Sequence, residues 1–188
     1  FSFESKTTYN QSIPPLAGHI SNMKPNGVAV GDVNNDGMPD IIFINSSKGT
    51  SATSSSSITL NNGSGTLLFS QSLSNAEDIE LGDLDNDGDL DAYLARGNNQ
   101  SDEVWLNDGS GTFTNSGQSL GNSDSTNTAM SDLDDDGDLD IVTTSINSNQ
   151  NQSHTIWLND GTANFSPSSF KFGFGDKSVS LNIIDIDQ

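Results

Sequence analysis

Three observations predict an all-β chain built of repeated four-stranded antiparallel sheets. The pattern Asp-x-(Asp/Asn)-x-Asp-Gly-x-x-Asp runs from Asp32 to Asp40, from Asp83 to Asp91 and from Asp132 to Asp140, and opens again at Asp185, with starts 51, 49 and 53 residues apart. A single accidental match has a probability on the order of one in a hundred, so the near-constant spacing means a repeat architecture. Each acidic stretch is followed by β-branched or aromatic residues, as in Ile41-Ile42-Phe43-Ile44, Ala92-Tyr93-Leu94 and Ile141-Val142-Thr143-Thr144. A turn signature also recurs, as Leu60-Asn61-Asn62-Gly63, Leu106-Asn107-Asp108-Gly109 and Leu158-Asn159-Asp160-Gly161, and it supplies the positive-φ positions of a tight hairpin.

Strands follow in order from these marks. The first repeat is read as 28–33, 40–45, 57–61 and 67–70, the second as 79–84, 90–96, 103–107 and 112–115, and the third as 127–133, 139–144, 155–159 and 164–167. A fourth opens over 178–186. Residues 10–26, with Pro14, Pro15 and Pro25, read as an irregular connection. Phe1-Ser2-Phe3 alternates like an outer strand. Trp105 and Trp157 occupy matching places in the third strands; sugar stacking is one reading, and packing between neighbouring sheets is the favoured one.

The acidic stretches have the chemistry of calcium loops. Calcium takes six to eight oxygens, and short acidic side chains at alternate positions of a tight loop converge on one point. The ligand sets read as Asp32, Asn34, Asp36, Met38 and Asp40; Asp83, Asp85, Asp87, Asp89 and Asp91; and Asp132, Asp134, Asp136, Asp138 and Asp140, with Asp185 and Asp187 beginning a truncated fourth. Methionine has no side-chain oxygen, so the seventh position contributes its backbone carbonyl. The glycine at the sixth position permits the reversal. The plain alternative is that Asp, Asn and Gly only mark polar turns. Repulsion argues against it: two carboxylates 4 Å apart repel by roughly 4 kcal/mol at an effective dielectric near 20, and such loops splay without a cation. The EF-hand shares the first spacings but requires a glutamate at position 12 and flanking helices. Position 12 here is Phe43, Leu94 or Thr143.

Composition bounds the rest. The 188 residues suit one domain, yet only 31% are hydrophobic and the formal charge is -20. Sixteen of the 26 acidic residues lie in the acidic loops, where cations would neutralise them. Six Lys and Arg cannot form the basic surface that nucleic acid requires. The absence of cysteine fits a reducing compartment or an exported protein stapled by calcium, and weak calcium loops favour the outside of the cell. No apolar run approaches 18 residues, so no membrane span is expected.

A strand ending in Gly-Asp (Gly31-Asp32, Gly82-Asp83), an Asp-rich loop, an apolar strand and Trp-Leu-Asn-Asp-Gly-Ser-Gly-Thr-Phe (Trp105 to Phe113) together resemble the FG-GAP or VCBS repeat. The resemblance runs from about residue 26 to the end. It implies a β-propeller similar to the head of integrin α chains, with calcium in the loops. Phe-Gly occurs only just before the fourth copy, as Phe172-Gly173 and Phe174-Gly175, Gly-Ala-Pro does not occur, and Ser131 stands where glycine is usual, departures that suit the bacterial-type VCBS branch. The implied division is an N-terminal segment 1–25, blades at 26–74, 75–121 and 122–175, and the start of a further blade at 176–188. Three blades and a fraction make an incomplete ring. Phe1 reads as a processed or excised end, and a stop inside the fourth loop reads as a fragment or as a subunit completed by other copies.

In an up-and-down sheet the calcium loops share an end with the Asn-Asp-Gly hairpins. The opposite end carries the unequal Ser/Asn/Gln segments 46–56, 97–102 and 145–153, and variable loops on a rigid scaffold are where binding is expected. The calcium reads as structural, because five protein ligands leave little room for substrate and a catalytic metal needs an open position. His19 and His154, in loop-like contexts, and the Asp pairs give no separate catalytic constellation. The expected function is a non-catalytic, calcium-stabilised extracellular or cell-surface segment for adhesion, matrix assembly or recognition of a glycan or protein. Two alternatives stand beside it: the propeller of a secreted polysaccharide-active enzyme, and a structural subunit that self-assembles.

Overall fold

The computed structural model describes residues 25–46, 55–122, 124–145 and 154–172, with 181 and 183. The described chain is all-β. Three four-stranded antiparallel sheets each run in sequence order from first to fourth strand. The first contains β1 (Pro25–Gly31), β2 (Asp40–Asn45), β3 (Ser56–Asn61) and β4 (Leu67–Leu73). The second contains β5 (Asp78–Gly82), β6 (Asp91–Ala95), β7 (Glu103–Asn107) and β8 (Phe113–Asn115). The third contains β9 (Ser125–Ser131), β10 (Asp140–Ser145), β11 (His154–Asn159) and β12 (Phe165–Phe172). The first strands of successive sheets lie against one another, β1 on β5 and β5 on β9, so the sheets stack like propeller blades.

The twelve strands expected of the three repeats all occur, with shifted ends. Each inner strand stops at the residue before the loop's first Asp, because that carboxylate turns into the loop. β1 starts earlier than expected: Pro25 pairs with Asn45, and a bulge separates it from the Gly27–Ile44 pair. Proline is tolerated at the first residue of a strand, where no ladder donor is needed. The residues assigned to the N-terminal segment before Pro25, and nearly all of the fourth copy, including Asp185 and Asp187, lie outside the described residues.

The core lies between sheets. Val33, Ile42, Ile44 and Ile58 of the first sheet meet Ile79, Ala92, Leu94 and Phe113 of the second, with Leu73 and Ala76 between them. Leu84, Tyr93, Ala95 and Val104 meet Ile141, Trp157, Ala163 and Phe165 across the next interface. Every residue of β6 and of β10 is buried, whereas β2 alternates over most of its length. Trp157 is buried in the second cluster and Trp105 packs against the first, so both tryptophans serve sheet packing. The glycines that end β1 and β5 allow this approach. A Cβ on Gly31 would lie 2.8 Å from Leu90 Cδ1, and one on Gly82 would lie 2.8 Å from Leu139 Cδ1.

Candidate metal centres

The three acidic loops join β1 to β2, β5 to β6 and β9 to β10, and they share one hydrogen-bond pattern. In the second, Asp83 Oδ1 accepts the Asp87 N–H at 3.1 Å, Asp83 Oδ2 accepts the Gly88 N–H at 3.0 Å, and Asp87 Oδ1 accepts the Asp89 N–H at 2.9 Å. Asp32 and Asp36 make the same bonds in the first loop, to Asp36, Gly37 and Met38, and Asp132 and Asp136 make them in the third, to Asp136, Gly137 and Asp138. Gly37, Gly88 and Gly137 all have positive φ, between 82° and 97°. The preceding fourth positions, Asn35, Asn86 and Asp135, are left-handed as well, at 57°, 62° and 62°. Asn and Asp tolerate that region better than other side chains.

Carboxylates converge as the spacing predicted. One oxygen from each of Asp83, Asp85 and Asp87 lies within 4.8 Å of the others, and the same holds for Asp132, Asp134 and Asp136. Asn34 takes the third position in the first loop, where its Oδ1 accepts the Asp36 N–H at 3.2 Å and its amide donates to Asp36 Oδ2 at 3.1 Å. Desolvation raises the Asp85 carboxyl above its ordinary value, and the charges of Asp87 and Asp83 raise it further. Asp134 is raised in the same way, by desolvation and then by Asp136, Asp140 and Asp132. No Lys or Arg side chain among the described residues enters the loops; Arg96 lies at the other end, paired with Glu103. Hard oxygen donors that raise one another's pKa suit a divalent cation. Two of the loops can therefore hold a metal ion.

The ninth positions have a second task that the spacing did not reveal. Asp40, Asp91 and Asp140 are 0% exposed. Asp91 Oδ2 accepts the Leu84 N–H of its own loop at 3.0 Å, and Oδ1 accepts the Asn107 N–H of the hairpin at 2.8 Å. Asp40 bridges Val33 to Asn61 and Asp140 bridges Leu133 to Asn159 in the same way. The loops and hairpins thus occupy one end, as up-and-down topology requires. Burial pushes the Asp91 carboxyl up to about 6; the Asn107 and Leu84 N–H groups oppose the rise, and the charges of Asp85 and Asp87 add to it. A carboxylate offers about four lone-pair sites, so two hydrogen bonds leave capacity for a cation.

The seventh-position side chains turn away from the converging carboxylates. A Cβ on the hairpin glycine Gly109 would lie 2.4 Å from Asp89 Oδ2, and one on Gly161 would lie 2.6 Å from Asp138 Oδ2. Met38 faces Gly63 from the same position. The contacts between successive loops were not legible from the repeat, because they use its variable positions. Asn35 donates to Asp89 Oδ1 at 2.6 Å and Asn86 to Asp138 Oδ1 at 2.7 Å.

At the opposite end, the connection from β6 to β7 borders a polar cleft of about 420 Å³ lined by Arg96, Gln100, Ser101, Glu103, Asn115 and Gln118 among others. The connections 47–54 and 146–153 lie outside the described residues. His154 departs from its expected loop setting: it begins β11, is buried, and its Nδ1 accepts the Ser145 N–H at 3.1 Å.

Stacked four-stranded antiparallel sheets with an acidic loop after each inner strand define a β-propeller-like repeat module. Residues 32–94 and 83–143 each match the FG-GAP-like repeat, and these overlapping spans take in more than half of the chain. The chain belongs to the FG-GAP-like repeat family. Comparison with curated proteins gave no match.

Proposed function

We propose that this chain is a non-catalytic, calcium-stabilised, extracellular propeller segment that presents its variable-loop end to a glycan or protein ligand. The observation that carries the reading is the shared geometry of three acidic loops, each tied through its ninth-position Asp to a hairpin of its own sheet. Asp32, Asn34, Asp36 and Asp40, their counterparts Asp83, Asp85, Asp87 and Asp91, and Asp132, Asp134, Asp136 and Asp140 would hold the ions, with carbonyls from Met38, Asp89 and Asp138. Bound calcium supplies the positive charge that cancels repulsion among these carboxylates. Extracellular calcium modules work at roughly 10⁻⁴–10⁻³ M, a range suited to few-ligand loops of this kind.

The non-catalytic reading is supported by the placement of the reactive groups. His154 bonds to backbone inside the third sheet, and the crowded Asp residues suit the ligand role proposed for them. The ligand end is supported by the polar cleft beside Arg96, whose amide and carboxylate groups suit hydroxyl-rich or peptide surfaces. Native mass spectrometry of the full chain in calcium should show three bound ions. A glycan and matrix-protein array should retain the chain in calcium and release it in EGTA, with no cleavage products. Failure to bind any calcium, or release of oligosaccharide fragments, would overturn the proposal.

A further inference from the structure

Each acidic loop touches the next through two side-chain bridges that repeat from sheet to sheet. In the first, the fourth-position Asn reaches the following loop: Asn35 donates to Asp89 Oδ1 and to the Gly109 carbonyl at 2.6 and 3.4 Å, and Asn86 donates to Asp138 Oδ1 and to the Gly161 carbonyl at 2.7 and 3.3 Å. In the second, a hairpin Asn reaches back. Asn107 Nδ2 donates to the Val33 carbonyl of the preceding loop at 2.8 Å and to the Leu90 carbonyl of its own at 3.1 Å. Asn159 Nδ2 donates likewise to Leu84 at 2.8 Å and to Leu139 at 3.3 Å.

These bonds join into one continuous path. Asp40 accepts the Val33 N–H, the Val33 carbonyl accepts from Asn107, and the Asn107 N–H donates to Asp91. Asp91 accepts the Leu84 N–H, the Leu84 carbonyl accepts from Asn159, and the Asn159 N–H donates to Asp140. The three ninth-position carboxylates and both hairpin asparagines on this path are at most 5% exposed. Low local dielectric strengthens such bonds and makes each costly to break alone.

We infer that Asn35 and Asn86 are positioning residues that couple neighbouring loops alongside the separate hydrogen-bond path Asp40–Asn107–Asp91–Asn159–Asp140, making calcium binding to the three loops cooperative. This inference rests on the calcium reading proposed above. An empty loop has repelling carboxylates and two conformations, gathered and splayed. Gathering one loop holds the peptide at its second position and the Asn at its fourth. Those groups fix the hairpin and the seventh-position residue of the next loop, the residue whose carbonyl would serve as a ligand. Ordering entropy met once at the first loop is not met again at the second, which is positive coupling without any large displacement. Coupling between sites typically changes affinity five-fold or more.

The test follows the backbone N–H signals of Gly37, Gly88 and Gly137, one per loop, by ¹⁵N-glycine NMR of the full chain during calcium titration from a chelated start. The three signals should move together, with a Hill coefficient above 1. Asp134→Ala, which removes one ligand of the third loop, should also weaken the Gly88 midpoint about five-fold or more. In a background carrying Asn86→Gly, which keeps the left-handed backbone, deletes the amide and leaves the Asn159 bridge in place, that effect on Gly88 should shrink. Independent midpoints in the parent chain, or a Gly88 midpoint indifferent to Asp134→Ala, would refute the coupling and leave the calcium reading intact. No calcium response at any of the three glycines would refute both.

Discussion

Asp102 lies at the end of the connection from β6 to β7, is 1% exposed, and holds that connection to the third sheet. Its Oδ1 accepts the Arg96 N–H at 2.7 Å, and its Oδ2 accepts the hydroxyls of Tyr93 at 3.0 Å and Ser125 at 2.9 Å. Burial pushes its carboxyl up to about 7, although the Arg96 N–H, both hydroxyls and the Arg96 charge work against the rise. A carboxyl raised above its ordinary 3.8 makes the folded chain bind a proton more tightly than the unfolded chain. The resulting stabilisation is complete below pH 3.8 and fades as pH climbs through about 7. The full difference amounts to roughly 4 kcal/mol. Asp102→Asn keeps an acceptor for Arg96 and offers an amide to hydroxyls that can turn to accept it. In saturating calcium the variant should melt above the parent at pH 8, and the gap should narrow by roughly half by pH 5.5. An identical gap at both values would show that Asp102 does not carry this pH dependence.

At the scale of elements, the hairpin between third and fourth strands fastens each sheet to its neighbour, and glutamine side chains reinforce the joint. The Gln71 amide donates to the Phe113 carbonyl at 2.6 Å while its Oε1 accepts the Phe113 N–H at 2.9 Å. Gln118 repeats this clamp on the third sheet, donating to the Ala163 carbonyl and accepting the Phe165 N–H at 2.9 Å. A glutamine amide can satisfy a backbone donor and acceptor together, as a ladder pair does. Gln118→Ala removes both bonds and should cost about 1–3 kcal/mol in urea unfolding, with faster hydrogen exchange at the Phe165 amide. An unchanged exchange rate there would rule the clamp out. The loops, the strands after them and the hairpins were legible in sequence because each needs particular residue types at fixed spacing: Gly88 for its positive φ, carboxylates on alternate positions, and Asn107-Asp108-Gly109 for the turn. Asn35, Asn86 and the two glutamines were not legible. They stand at positions the repeat leaves variable, and their partners lie 42 to 54 residues away on another sheet. The glycines before Asp32 and Asp83 were seen as part of a resemblance, and their reason emerged only from the side chains that press on them. Ser131 fits the same account, since no described sheet packs on the third repeat from that side.

For the whole molecule, the question is how a chain with a formal charge of -20 and 31% hydrophobic residues holds three sheets together. Its apolar clusters lie between sheets, so cohesion depends on keeping neighbouring sheets in register at both ends. At one end the buried Asp102 ties the second sheet to the third. At the other, the acidic loops carry the interlocking Asn bridges, and there the like charges oppose closure. Removing calcium should release that repulsion where the bridges attach, and separation of the sheets would follow from one end. A ligand present at about 100 times its dissociation constant adds about 2.7 kcal/mol per site to the folded state. For a domain of this size, each kcal/mol corresponds to roughly 2–4 °C in melting temperature. Chelation should therefore lower the melting temperature by roughly 5–10 °C for each loop that binds in this range. Potassium chloride at matched ionic strength should not restore it, because screening weakens repulsion at the Debye length without bridging carboxylates a few ångströms apart. Calorimetry in EGTA, in EGTA with added salt and in millimolar calcium separates the two effects. Equal transitions in EGTA and in calcium would mean that the sheets stay together on apolar packing alone and that the acidic loops are polar turns.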